Sequence, residues 1–154
     1  MKRIILLFMV CWMAQVAWAQ AGLNINALFD GRYQQSPSAT EILVQGTKAQ
    51  DIGLDIYRSL TVTDMAQARA IEEAVTRDGA KATAKEVEYR GGQLYYGFYV
   101  LGTVRPTTVD KAAHYRYVFY LNQSLANKSP LSRVTVIYME SKRNAESIKR
   151  LIKK

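Results

Sequence analysis

His114 is the only histidine in the chain, and Asp110 precedes it while Ser124 follows it. A Ser-His-Asp hydrolase needs those three groups oriented together. No Gly-x-Ser-x-Gly elbow surrounds Ser124, and a lone histidine opening a strand reads as a surface residue. Asp55, Glu86 and Glu88 are the carboxylates on predicted strands, and a glycosidase needs two of them facing each other across a cleft. Glu86 and Glu88 share one strand face, which suits solvated charges equally well. No His, Asp or Glu spacing matches a metal site, and no glycine-rich phosphate loop opens a helix, so no cofactor is expected. Enzyme chemistry therefore has no anchor, and a small carboxylate- or His114-dependent hydrolase stands as the alternative to a binding role.

Tyrosine is the more abundant functional side chain, with ten in the chain. In the run Leu94–Leu101, alternation puts Leu94, Tyr96, Phe98 and Val100 on one face and Tyr95, Gly97, Tyr99 and Leu101 on the other. In the run His114–Leu121, Tyr115, Tyr117, Phe119 and Leu121 form the core side, leaving His114, Arg116, Val118 and Tyr120 outward. Tyr95, Tyr99, Arg116 and Tyr120 are thus the candidate ligand-binding residues, with Gly97 leaving a shallow gap between two rings. Tyrosine joins a large apolar surface to a polar tip, which suits a peptide or a glycan. Strands favour tyrosine on structural grounds as well. The string Tyr96-Gly97-Phe98-Tyr99-Val100 matches the aromatic strand of an RNA-recognition module only in part, because no basic-glycine pair immediately precedes it. No nucleic-acid partner is expected.

These residues need elements to hold them. Residues 20–39 carry glycines, serines and Pro37 with few periodic apolar positions, which predicts an extended lead-in. Alternation predicts strands over 40–46 and 54–62, joined by the polar stretch Thr47 to Gly53. Asp64 opens a helix as its N-cap, with Gln67 in capping-box position. Met65, Ala68, Ile71, Ala74 and Val75 form its apolar side, and Asp78-Gly79 ends it by a left-handed stop. Strands follow over 85–90 and 93–102, joined by Gly91-Gly92 as a primed hairpin turn, then over 114–121 and 133–140. Residues 144–153 form a last amphipathic helix with Ala145, Ile148, Leu151 and Ile152 on one side. The order β-β-α-β-β-β-β-α predicts an α+β domain: an antiparallel sheet of about six strands with two helices packed on one face.

The ends of the chain bound its location. Lys2 and Arg3, the apolar run Ile4 to Met13 and the small-x-small pattern Ala17-Trp18-Ala19 make residues 1–19 a secretory signal peptide, cleaved between Ala19 and Gln20. Cys11 follows Val10 where a lipidation signal wants a small residue, so it reads as an h-region cysteine that is discarded. The single α+β domain then spans 40–154 behind the 20–39 lead-in, in the periplasm or on the cell surface. Without its only cysteine the mature chain has no thiol catalysis, disulfide, Cys-ligated zinc or iron–sulfur chemistry. The formal net charge of +8 is concentrated at the C-terminus, where Lys142, Arg143, Lys149, Arg150, Lys153 and Lys154 face Glu146 alone. Such a helix can make weak contact with an anionic membrane surface, although a lysine-rich outer face is also how many domains end.

Four stretches carry a family likeness: Gly22-Leu23-Asn24 to Phe29-Asp30-Gly31-Arg32-Tyr33, Tyr57 to Val62, Gly92 to Tyr99, and Val134 to Glu140. They resemble a family of small exported proteins from Gram-negative gut anaerobes, a domain of unknown function. The resemblance spans nearly the whole mature chain and implies its layout of signal peptide and one domain. It implies no activity. The sequence is therefore read as an exported, soluble, non-enzymatic binding module whose partner is an envelope protein, a peptide or a glycan, held at the tyrosine-rich face or at a sheet edge.

Overall fold

The computed structural model describes residues 22–104 and 111–153. The expected signal peptide, Cys11 and Asp110 lie outside them. The chain forms a six-stranded antiparallel sheet: β1 (Ala39–Gln45), β2 (Ile56–Val62), β3 (Ala84–Arg90), β4 (Gln93–Val104), β5 (His114–Asn122) and β6 (Val134–Ser141). The helices are α1 (Thr47–Asp51), α2 (Met65–Gly79) and α3 (Ala145–Ile152). Spatially the strands run β1-β2-β6-β5-β4-β3. After the β1–β2 pair, α2 carries the chain to the far edge, and a meander of four strands returns until β6 seats against β2. At the β3–β4 turn, Gly91 and Gly92 both have positive φ (56° and 79°), as a primed turn requires. Among the described residues no helix is long and apolar enough to cross a membrane.

The α+β sheet is as expected, but its helices are not on one face. Along β5, Val118 and Tyr120 join the core under α2 with Ala68, Ile71 and Val75, while Tyr117 and Phe119 join a second core with Ala49 of α1 and Ile148 of α3. Because alternate residues of the central strands are apolar in both directions, each face needs its own cover. The layers are therefore helix, sheet, helix. The last helix does dock through Ile148, which is fully buried, with Ala145, Leu151 and Ile152 packed around it. Its Lys149 is not a solvated charge: it bonds Glu86 at 2.8 Å and Glu146 at 3.3 Å.

Several local expectations are also corrected. The lead-in is not extended: Asn24–Phe29 is a 3-10 helix that buries Ile25, Leu28 and Phe29. The buried Asp78 carboxylate fixes it, accepting from the Asn24 N–H (2.8 Å), the Asn24 side-chain amide (2.7 Å) and the Ile25 N–H (2.8 Å). A carboxylate at the start of a helical turn satisfies N–H groups that have no partner within the turn. The Thr47–Gly53 stretch contains α1. Asp64 caps α2 by accepting from the Ala66 N–H at 2.9 Å, but Gln67 closes no capping box. Its side chain bonds Ser36 and Ser38 of the lead-in instead.

Gly79 lies inside α2, which ends at Ala80 in right-handed geometry, so the glycine is not a left-handed stop. Its role is close approach. A Cβ there would sit 2.3 Å from the Tyr99 ring, and one at Gly97 would sit 2.6 Å from the same ring. Tyr99 is wedged between two glycines, one on α2 and one on its own strand, and it fills the gap expected beside Gly97.

Candidate functional site

Alternation along β4 fails at its start. Glu88 pairs with Tyr96 and Tyr89 with Leu94, so Tyr95 is an extra residue, and this bulge turns Leu94 onto the face that holds Tyr99 and Leu101. Of the four candidate ligand-binding residues, Tyr99 (3% exposed) and Tyr120 (0%) belong to the core under α2. Burial pushes the Tyr99 hydroxyl up to about 12 and raises that of Tyr120 as well. The Tyr95 ring lies under the Arg90 guanidinium, 3.4 Å from its centroid. Arg116 donates to the Leu101 carbonyl at 3.0 Å, where β4 bulges a second time. Tyr99 and Tyr120 therefore form no exposed aromatic platform, because they are part of the core under α2.

What the face does gather is polar. Arg58, Tyr138, Glu140 and Arg116 come from the adjacent strands β2, β6 and β5, with Arg58 opposite Tyr138 and Arg116 opposite Glu140. Tyr138 donates to Glu140 at 2.6 Å. Arg58 donates to the Phe29 carbonyl at 3.0 Å, lies over the Phe29 ring and approaches Glu41 at 3.6 Å. At the end of this row His114 Nδ1 meets Asp55 Oδ2 at 2.5 Å. Burial holds the Glu140 carboxyl above the usual range, against the Tyr138 hydrogen bond that lowers it, while Asp55 adds to the rise and Arg116 and His114 oppose it. Burial and the Glu140 charge likewise raise the Tyr138 hydroxyl. A carboxyl whose hold on its proton is strengthened, beside a histidine hydrogen-bonded to an aspartate, is an acid–base arrangement in chemical terms.

The other sequence candidates lie apart from this row. Glu86 on β3 binds Lys149, which lowers its pKa, and Glu88 binds Arg90 at 2.8 Å. Ser124 donates its hydroxyl to Asn122 at the opposite end of β5 from His114, a separation of roughly 30 Å along a strand. A Ser124–His114 pair is excluded by that distance. Among the described residues no group of three or more His, Cys, Asp or Glu side chains could hold a metal ion. Asp55 and His114 are far apart in sequence, and only the placement of β6 between β2 and β5 brings them together; Glu140, Tyr138 and Arg58 carried no local sequence signal.

The two sheet edges complete the inventory of surfaces. On β3, Lys85, Glu86, Glu88 and Arg90 put charges along the strand, the usual protection of an edge. On β1, Ile42 and Leu43 are 49% and 50% exposed, one on each face. The only charge on β1, Glu41, is turned in towards Arg58 with its side chain 13% exposed. The Thr63 N–H donates to the Ser38 carbonyl at 2.8 Å, which makes Ser38 and Thr63 a hydrogen-bonded pair just beyond the Ala39–Val62 register. Bonded pairs alternate along an antiparallel ladder. Thr40, Ile42 and Val44 therefore bond towards β2, and the backbone groups of Ala39, Glu41, Leu43 and Gln45 point away from it, the Ala39 N–H already donating to the Ser36 carbonyl at 3.2 Å.

No curated protein and no solved structure matches the chain. The model of a family of unknown function, DUF6108, matches residues 12–152, and the chain belongs to that family.

Proposed function

We propose that the chain is a small protein exported by a Gram-negative gut anaerobe, cleaved between Ala19 and Gln20, and that it works in the periplasm or at the cell surface as a non-enzymatic interaction module. It recognises an extended protein segment by strand addition at β1. The observation that carries this reading is the edge itself: outward backbone groups of Glu41, Leu43 and Gln45, with Ile42 and Leu43 half-exposed and the one charge turned inward. Backbone hydrogen bonds then supply affinity and the two apolar side chains supply preference. An edge replaces the tyrosine face because Tyr99 and Tyr120 are enclosed. The cationic helix α3 adds at most a weak contact with an anionic membrane surface, since Lys149 is already engaged by Glu86.

The test is amide hydrogen exchange, resolved by residue, with and without envelope extract. Amides of Glu41, Leu43 and Gln45 should gain protection, and a Leu43→Lys variant should lose that gain. Protection elsewhere with β1 unchanged would overturn the reading.

The 2.5 Å contact between His114 and Asp55, next to the raised carboxyl of Glu140, favours a second reading as a small hydrolase. Asp55 selects the tautomer with the proton on Nδ1, and Glu140 supplies the acid. Turnover of chromogenic esters or glycosides that disappears in both His114→Ala and Glu140→Gln would establish it. Turnover equal to buffer would remove it.

A further inference from the structure

We infer that the segment added at β1 is the β1 strand of a second copy of this chain, paired antiparallel about Ile42. The inference rests on the strand-addition reading of that edge. In a continuous sheet the two copies keep their faces, so residues of like face must stand opposite one another. Placing Ile42 opposite its own symmetry mate meets that condition and sets Ala39 opposite Gln45 and Glu41 opposite Leu43. Glu41 and Leu43 then exchange both backbone hydrogen bonds, and the Gln45 N–H meets the Ala39 carbonyl, the Ala39 N–H being held by the Ser36 carbonyl. The register centred on Leu43 also matches faces but sets Leu43 opposite itself in the wider, bonded pair.

Side chains agree with the backbone. Ile42 meets Ile42 in a non-bonded pair, the position where opposing side chains lie closest. Leu43 lies beside the aliphatic stem of the partner's Glu41, whose carboxylate is held by Arg58, and no like charges stand opposite. The two-fold pairing closes on itself and uses up the edge that would otherwise template further addition. It joins two six-stranded sheets into one of twelve, with the charged β3 strands as its outer edges. One strand pair is smaller than a standard interface, so the dimer is expected to be concentration-dependent.

Light scattering on the purified chain, from about 5 µM to about 500 µM, should show mass rising from monomer to dimer. Ile42→Lys should weaken the dimer at least about ten-fold by opposing two ammonium groups, and an equal mixture with Ile42→Glu should restore it. In a Cys11→Ser background, Ile42→Cys should cross-link to itself on oxidation and Leu43→Cys should not, because Leu43 faces Glu41. Ile42 is half exposed, so matching melting curves will show that these variants fold. A monomer throughout, with β1 amides still protected by envelope extract, would overturn the second copy and leave strand addition standing. A monomer without such protection would overturn both. A dimer indifferent to Ile42→Lys would place the interface elsewhere.

Discussion

The two faces of the sheet are built from the same kind of strand and do different things. The face under α3 is a plain apolar layer in which Leu54, Phe98, Tyr117, Ile137 and Met139 surround Ile148, and the Tyr117 hydroxyl reaches the Arg143 carbonyl at 2.6 Å. The face under α2 is held by specific fits: a carboxylate capping the lead-in, a ring between two glycines, and a row of arginine, tyrosine and glutamate across three strands. An aromatic strand with tyrosine on both sides is thus no sign of a ligand surface when both sides have a helix to meet. Arg116 and Tyr120, which sequence alternation turned outward, are partly and fully enclosed, and burial raises the Tyr120 hydroxyl.

The largest effect should come from the plain face, where one side chain carries the helix. Ile148→Asp puts a carboxylate among apolar neighbours with no cation built to meet it, a cost of about 3–5 kcal/mol. Chemical denaturation should show the midpoint falling by an amount equivalent to about 3–5 kcal/mol. A midpoint within a few tenths of wild type would mean that α3 does not hold this face.

On the other face the fits should each matter less, but more than their size suggests. Gly79→Ala and Gly97→Ala each drive a methyl into the Tyr99 ring, which cannot retreat from one glycine without striking the other position. Overpacking of this kind costs about 1–3 kcal/mol. Tyr99→Leu should recover much of the loss in either background, and a double-mutant cycle of melting curves would show the coupling. Additive losses would mean that the ring is not the contact.

Part of this contrast was legible in the residues and part was not. The Asp64 cap, the Gly91-Gly92 turn, the meander and the apolar stripe of α3 are local, and each depends on residues within a few positions of one another. The side on which each helix lands depends on where the chain crosses after β2, which no window of sequence contains. Asp78 looked like half of a helix stop because the N–H groups it serves lie 53 and 54 residues earlier. The Tyr95 bulge shifted the parity of Leu94, and a period-two pattern has no means of registering one extra residue. Asp55 and His114 could be named as candidates but not paired, since 59 residues separate them. The β1 edge became visible only once β6 was seen to take the place beside β2.

The smallest effect, and the sharpest test of the polar row, is its pH dependence. Glu140 is 5% exposed, and its carboxyl is raised chiefly by burial, with Asp55 adding to the rise and Tyr138, Arg116 and His114 opposing it. The unfolded chain ionises this group near the ordinary glutamate value of about 4.3. Above that pH the native state still holds a proton that the unfolded state has released, so the group's contribution to stability falls with rising pH until the folded value is passed. Glu140→Gln removes the titration while leaving a carbonyl to accept from the Tyr138 hydroxyl. The variant should match wild type in acid, gain on it as pH rises above the ordinary glutamate value, and remain level once the folded value is passed. Glu140→Ala should show the same rising trend against wild type, displaced downward at every pH, because Tyr138 then has a buried hydroxyl without that acceptor. A Glu140→Gln variant that loses stability as pH rises would show that the carboxylate is held ionised by Arg116 and His114, and that the row is an ion-pair network and not a protonated acid.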